Sequence, residues 1–184
     1  MNFGDELFMR TVRAFSLVEV VIVMAFVGIM AAVTFVSFSG KRDEEALQVS
    51  AREVAATIRM AQSNALSGVR QNGNDNELCS SRVEGKSDTT YDLSAVHLKN
   101  GNGHVCGNSS GENVFSLGTY TLSSGVTFGS PNWKVSFSVP QGGLIETADQ
   151  EIVLQKNGKY SAVCVRTSGS ITEKDVSSSV PSCP

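Results

Sequence analysis

The chain has 184 residues with 15 basic and 18 acidic side chains, a formal net charge of -3 and 41% hydrophobic residues. This suits one domain plus an additional segment. It excludes a disordered polyelectrolyte, and without a clustered excess of Lys and Arg it argues against a dedicated nucleic-acid binder.

The apolar residues are concentrated near the start. Between Phe15 and Phe38 the only polar side chains are Ser16, Glu19, Thr34 and Ser37. A helix of that length spans roughly 36 Å, enough to cross a hydrocarbon core of about 30 Å, so residues 15–38 are expected to form a transmembrane helix. A secretory signal core would be shorter; Ala31-Ala32-Val33 is compatible with a cleavage site, but apolar sequence continues through Phe38. Arg10 and Arg13 precede the segment and no basic residue follows until Lys41 and Arg42, which predicts a cytoplasmic N-terminus. Glu19 interrupts the run, and a carboxylate there costs several kcal/mol unless it reaches the headgroups or meets a partner. Either resolution suits the residues alone. A cut just before Phe15 would create an amino group one helical turn from Glu19, which a carboxylate at that depth can neutralise on a neighbouring molecule.

Arg13-Ala14-Phe15-Ser16-Leu17-Val18-Glu19, followed by the apolar run, resembles the class III signal of type IV pilins and type II secretion pseudopilins. The resemblance implies that residues 1–14 are a leader, cut between Ala14 and Phe15 by a prepilin peptidase that also methylates the new N-terminal Phe15. That family usually has Gly before the cut, where this chain has Ala14. It further implies that Glu19 is the charge partner during assembly and that Leu17 to Phe38 pack in a filament core. Other pilin or pseudopilin subunits and an inner-membrane assembly platform are the implied partners. The implied location is the bacterial inner membrane, with a periplasmic or extracellular headgroup, and the filament after assembly.

Beyond the apolar run, residues 39–67 continue in helical period. Leu47, Ala51, Val54, Ile58, Ala61 and Ala65 share one face, while Arg52, Glu53, Arg59 and Gln62 fall elsewhere. One nearly continuous helix from Phe15 to about Ser67 is expected, with a break at Ser39-Gly40 as the alternative. Gly68 ends the pattern, and Gln71 to Gly111, rich in Asn, Gly, Ser and Asp, reads as loop with a short strand at Leu93 to Leu98. From Val114 the period becomes two, which predicts strands at Val114 to Leu122 and around Val135, Phe137 and Val139. Ile152 to Gln155 and Tyr160 to Val165 flank Lys156-Asn157-Gly158-Lys159, where Asn-Gly favours a tight hairpin turn. The expected fold class is α+β: a long N-terminal helix packed on a C-terminal antiparallel β-sheet, with residues 68–184 forming a β-rich, disulfide-containing headgroup.

A second resemblance lies in the last third of the chain. Val135-Ser136-Phe137-Ser138-Val139-Pro140-Gln141-Gly142-Gly143, the strand over Glu151 to Leu154, Val163-Cys164-Val165 and the Gly169-Ser170-Ile171 turn are similar to minor pilins and pseudopilins of the GspH and FimT type. Ser50-Ala51-Arg52-Glu53-Val54-Ala55 through Arg59-Met60-Ala61-Gln62-Ser63 fits their stalk helix. Some FimT-type proteins bind DNA through a basic C-terminal stretch. Here Arg166 and Lys174 stand against Glu173 and Asp175, so the excess of cations is missing.

Cys79, Cys106, Cys164 and Cys183 all follow the apolar segment, on the side expected to face an oxidising space. Of the three pairings available, Cys79 with Cys106 and Cys164 with Cys183 are expected. The rival is a zinc site, but there is no C-x-x-C pair, and His97 and His104 are scattered in loop sequence. Gly107-Asn108-Ser109-Ser110-Gly111 matches a nucleophile-elbow pattern without a buried strand before it or a helical pattern after it, and reads as a surface loop. Asn72 to Glu77 offers oxygen ligands of the type calcium takes, at a spacing that fits no EF-hand. No enzymatic activity, metal or cofactor is expected, and the sequence points to a structural subunit. The alternatives are a DNA-binding minor pilin of a competence pilus and a plain single-pass anchored protein.

Overall fold

The structure is a computed structural model that describes residues 16–68, 78–98 and 112–183, with the side chains of residues 33–39, 98 and 112 left undescribed. Among the described residues, helix α1 (Leu17–Ser67) is followed by eight strands: β1 (Leu78–Gly85), β2 (Thr90–Leu98), β3 (Glu112–Thr121), β4 (Thr127–Phe128), β5 (Lys134–Ser138), β6 (Gln150–Lys156), β7 (Lys159–Val165) and β8 (Ile171–Ser177). The chain divides between Gly40 and Lys41 into two units.

In the first unit, Ser16 starts the helix. Its carbonyl accepts the N–H groups of Glu19 at 2.9 Å and Val20 at 3.3 Å. Every residue from Ser16 to Ala32 is exposed, Leu17 at 80% and Met30 at 72%. No helix among the described residues is long and apolar enough to cross a membrane, and the apolar run of the sequence continues into residues 33–39.

In the second unit, α1 supplies one wall of the core. Leu47, Ala51, Val54, Ile58, Ala61 and Ala65 are all buried, as their period predicts, together with Ser50, Ala55 and Thr57. Four alanines on this face let the helix lie close to the strands beneath it. Gly68 ends the helix at φ +59, a conformation that favours glycine, with its N–H donated to the carbonyl of Ala65.

Under the helix lie two antiparallel sheets instead of the single one expected, ordered β3-β2-β1-β5 and β4-β6-β7-β8. The chain changes sheet three times, since β4 leaves the sheet of β1 to β3, β5 returns to pair with β1, and β6 goes back to pair with β4. Val83, Tyr91, Leu93, Val135 and Phe137 from the first sheet join Ile152, Leu154, Val163 and Val165 from the second in one core against α1. Phe128 and Trp133, at 5.2 Å between ring centroids, fill the space where the connections cross.

Several expectations need correction. The stretch read as loop contains β1 and the first residues of β2, whose remainder is the strand expected at Leu93 to Leu98, and His97, placed in loop sequence, is a buried residue of β2 lying edge-on to Phe115. β1 shows no apolar alternation in the sequence, because four of its eight residues, Leu78 to Ser81, are buried in succession and two of them are serines. β8, of which the sequence marks only the turn at its start, has its period masked by Glu173, Lys174 and Asp175. The Asn-Gly hairpin is as expected: Asn157 and Gly158 take φ 48 and 74 between β6 and β7.

Candidate functional site

The residues singled out for assembly lie at the start of α1. Ala14 and Phe15 fall outside the described residues, as does the leader. Glu19 stands in the first turn of the helix, where the unpaired N–H groups favour a negative charge. It borders a shallow depression of about 320 Å³ with Val20, Val23 and Met24. The Glu19 carboxylate is therefore set on a continuous apolar surface that no described residue of this unit covers. A helix apolar on every side is stable only when lipid or other protein surrounds it.

In the second unit, polar side chains tie α1 to the sheets at three levels. Where the helix enters this unit, Asp43 accepts a hydrogen bond from Asn157 Nδ2 at 2.8 Å and pairs with Lys156 Nζ at 3.3 Å, while Glu44 pairs with Lys159 at 2.7 Å. These partners belong to the β6–β7 hairpin, so the Asn-Gly turn also presents three donors to the helix. The Asn157 hydrogen bond, with help from the two lysines, holds the Asp43 carboxyl below its ordinary value. Midway, Thr57 Oγ1 donates to the carbonyl of Glu53 and lies 3.5 Å from the hydroxyl of Tyr91. Burial is the main reason that the Tyr91 hydroxyl titrates above its ordinary value. Towards the end, Gln62 Nε2 donates to the carbonyls of Gly142 at 3.3 Å and Gly169 at 3.0 Å, and Arg59 pairs with Glu173 at 2.9 Å. Gln62, which the sequence placed off the apolar face, thus holds the loops after β5 and β7, and Arg59, placed likewise, holds β8. Their signal was absent from the sequence because each partner is a distant backbone carbonyl or a strand not yet recognised.

Cys164 and Cys183 form a disulfide with 5.7 Å between Cα atoms, as expected. It holds the chain end against β7, whose residues Ser161 to Val165 are all buried. Cys79 is also disulfide-bonded, and Cys106, its expected partner, lies outside the described residues. So do His104, the Gly107 to Gly111 pattern and the Asn72 to Glu77 cluster. Among the described residues, no three His, Cys, Asp or Glu side chains converge as metal ligands would. Glu173, in the tail weighed for DNA binding, is engaged by Arg59.

No protein-family model, characterised protein or solved structure matches the chain. Its α+β fold, a helix packed on antiparallel sheets, is therefore defined by its own geometry.

Proposed function

We propose that the chain is a structural subunit of a type IV pilin-like filament, of the minor pilin or pseudopilin kind. On this reading a prepilin peptidase cuts between Ala14 and Phe15 and methylates Phe15. The apolar helix waits in the inner membrane with its N-terminus cytoplasmic, and the headgroup lies outside it. The observation that carries the reading is an apolar helix, exposed from Leu17 to Met30, whose one carboxylate stands in its first turn. Such a helix needs a covering, and neighbouring helices of the same kind supply one in which each Glu19 meets the amino terminus of another subunit. No substrate is turned over.

Further support comes from the headgroup. A helix whose later half packs on antiparallel strands is the arrangement expected of a pilin fold, and four polar ties at its ends fix that packing. The strand end over Val135 to Gly143 favours a GspH or FimT-type minor subunit over a major one. So does the lack of a proline in the apolar run, since the first proline is Pro131.

The test is Glu19→Ala in cells that assemble the filament. Membrane fractionation should show the variant inserted as well as the wild type, because an apolar residue replaces a charge. Its incorporation into sheared filaments should drop at least ten-fold, the scale expected when a buried charge loses its partner. Incorporation at the wild-type level would rule the mechanism out.

A further inference from the structure

Sheet edges expose unpaired backbone groups, and of the four edges among the described residues three are protected. β4 is two residues long, and β8 carries Glu173, Lys174 and Asp175 in succession. The outer edge of β5 is taken up by the chain that follows it: Ile145 N–H donates to the Ser136 carbonyl at 2.8 Å, Ser138 N–H to the Gly143 carbonyl at 2.9 Å, and Ser136 N–H to the Glu146 carboxylate at 2.9 Å. β3 is neither short nor covered among the described residues; its one charge is Glu112 at the first position, and its pairing with β2 carries one register shift, opposite Leu93 and Ser94. It is ten residues long, contains no Pro, Lys or Arg, and among the described residues its outer edge accepts and donates no backbone hydrogen bond. Val114, 49% exposed, lies along it with Ser116, Thr119 and Thr121 also exposed.

The end of this edge has a feature that selects its occupant. Tyr91 of β2 and Tyr120 of β3 face each other in register and stack, with centroids 5.3 Å apart and planes 18° from parallel. Their row therefore presents the outer face of the Tyr120 ring to whatever lies beyond β3. A residue of an added strand opposite Tyr120 would continue the row about 5 Å further out, on the same face of the sheet. Between this row and α1 a depression of about 370 Å³ is lined by Glu53, Ala56, Thr57, Tyr91, Tyr120 and Thr121. Among the described residues no cation pairs with Glu53. A ring face and an unpaired carboxylate together fit an ammonium or guanidinium group.

We infer that the free edge of β3 binds an extended segment of a partner protein by strand addition, with a Lys or Arg of that segment seated between the Tyr120 ring and Glu53. Backbone pairing supplies the affinity and the cation fixes the register. A second copy pairing through its own β3 does not meet the requirement, because that strand brings no Lys or Arg to the row. The inference concerns the headgroup alone and stands apart from leader processing and filament assembly.

The test uses the full chain in detergent micelles and two ten-residue peptides of alternating Thr and Val, one with a central Lys and the other with Glu in its place. Saturating Lys peptide should slow amide exchange across residues 113–121 by about ten-fold or more, and the Glu peptide should bind at least about ten-fold more weakly. Glu53→Gln should bring the two peptides within about three-fold while β3 remains protected by both. Val114→Lys with Ser116→Lys, both at exposed positions, should abolish the protection without shifting thermal unfolding. Unchanged exchange in β3, equal binding of the two peptides by the wild type, or protection that instead grows with protein concentration in the absence of peptide would each overturn the inference.

Discussion

Asp43 shows how one side chain can make the fold sensitive to acid. Its carboxyl is held below 3.8, chiefly by the Asn157 hydrogen bond, so the folded state binds this proton less readily than the unfolded chain does. The stability this confers is present above the unfolded value and is lost as pH falls through the lowered folded value. Asp43→Asn should therefore unfold more easily than the wild type at pH 6, and the difference should vanish in strong acid. Chemical denaturation of both proteins across the acid range checks this; a gap that stays constant to the lowest pH would contradict the role given to Asp43. Gly158 offers a second residue-scale test. Its φ of 74 lies where a side chain costs about 1–2 kcal/mol, and no atom within 4 Å would obstruct a Cβ, so Gly158→Ala should lose about that much through backbone strain alone.

At the scale of elements, α1 and the disulfide-held tail carry the largest single contributions. Ile58 is fully buried between the helix and the strands, and Ile58→Ala should cost about 3 kcal/mol in a denaturant titration, from lost transfer energy and the cavity left behind. Replacing Cys164 and Cys183 by serine opens a link between residues 19 apart and should cost roughly 3 kcal/mol in the chain-entropy account. By contrast, Arg59→Ala should change stability by less than about 1 kcal/mol, because its pair with Glu173 is half exposed.

The same elements differ in how far the sequence announced them. The buried face from Leu47 to Ala65 was legible because one helical period places all six residues on a single stripe. The β6–β7 hairpin was legible because Asn-Gly is nearly a geometric specification. β1 was not, since its serines are buried by neighbours far away in the chain. The division into two sheets was hidden for a similar reason: β1 pairs with β5 across β2, β3 and β4, and no local pattern encodes that choice. Of the candidate site, Glu19 stood out as a charge in apolar sequence. The row of Tyr91, Tyr120 and Glu53 did not, because strand register and a helix bring it together.

For the whole molecule, the apolar helix and the β-rich unit set complementary demands. The unit from Lys41 onward buries its own core beneath α1 and is closed by a disulfide. The stretch from Leu17 to Met30 is exposed among the described residues and needs a lipid or protein environment. A subunit that is stored in a membrane and then moved into a filament satisfies both demands with the same helix. Filament assembly as proposed depends on how that helix begins. Intact mass and N-terminal sequencing of the membrane form, in cells with and without an active prepilin peptidase, decide it. A filament subunit should start at methylated Phe15 with the peptidase and keep its leader without it; a chain starting at Met1 in both, or after Ala32, would contradict the proposal.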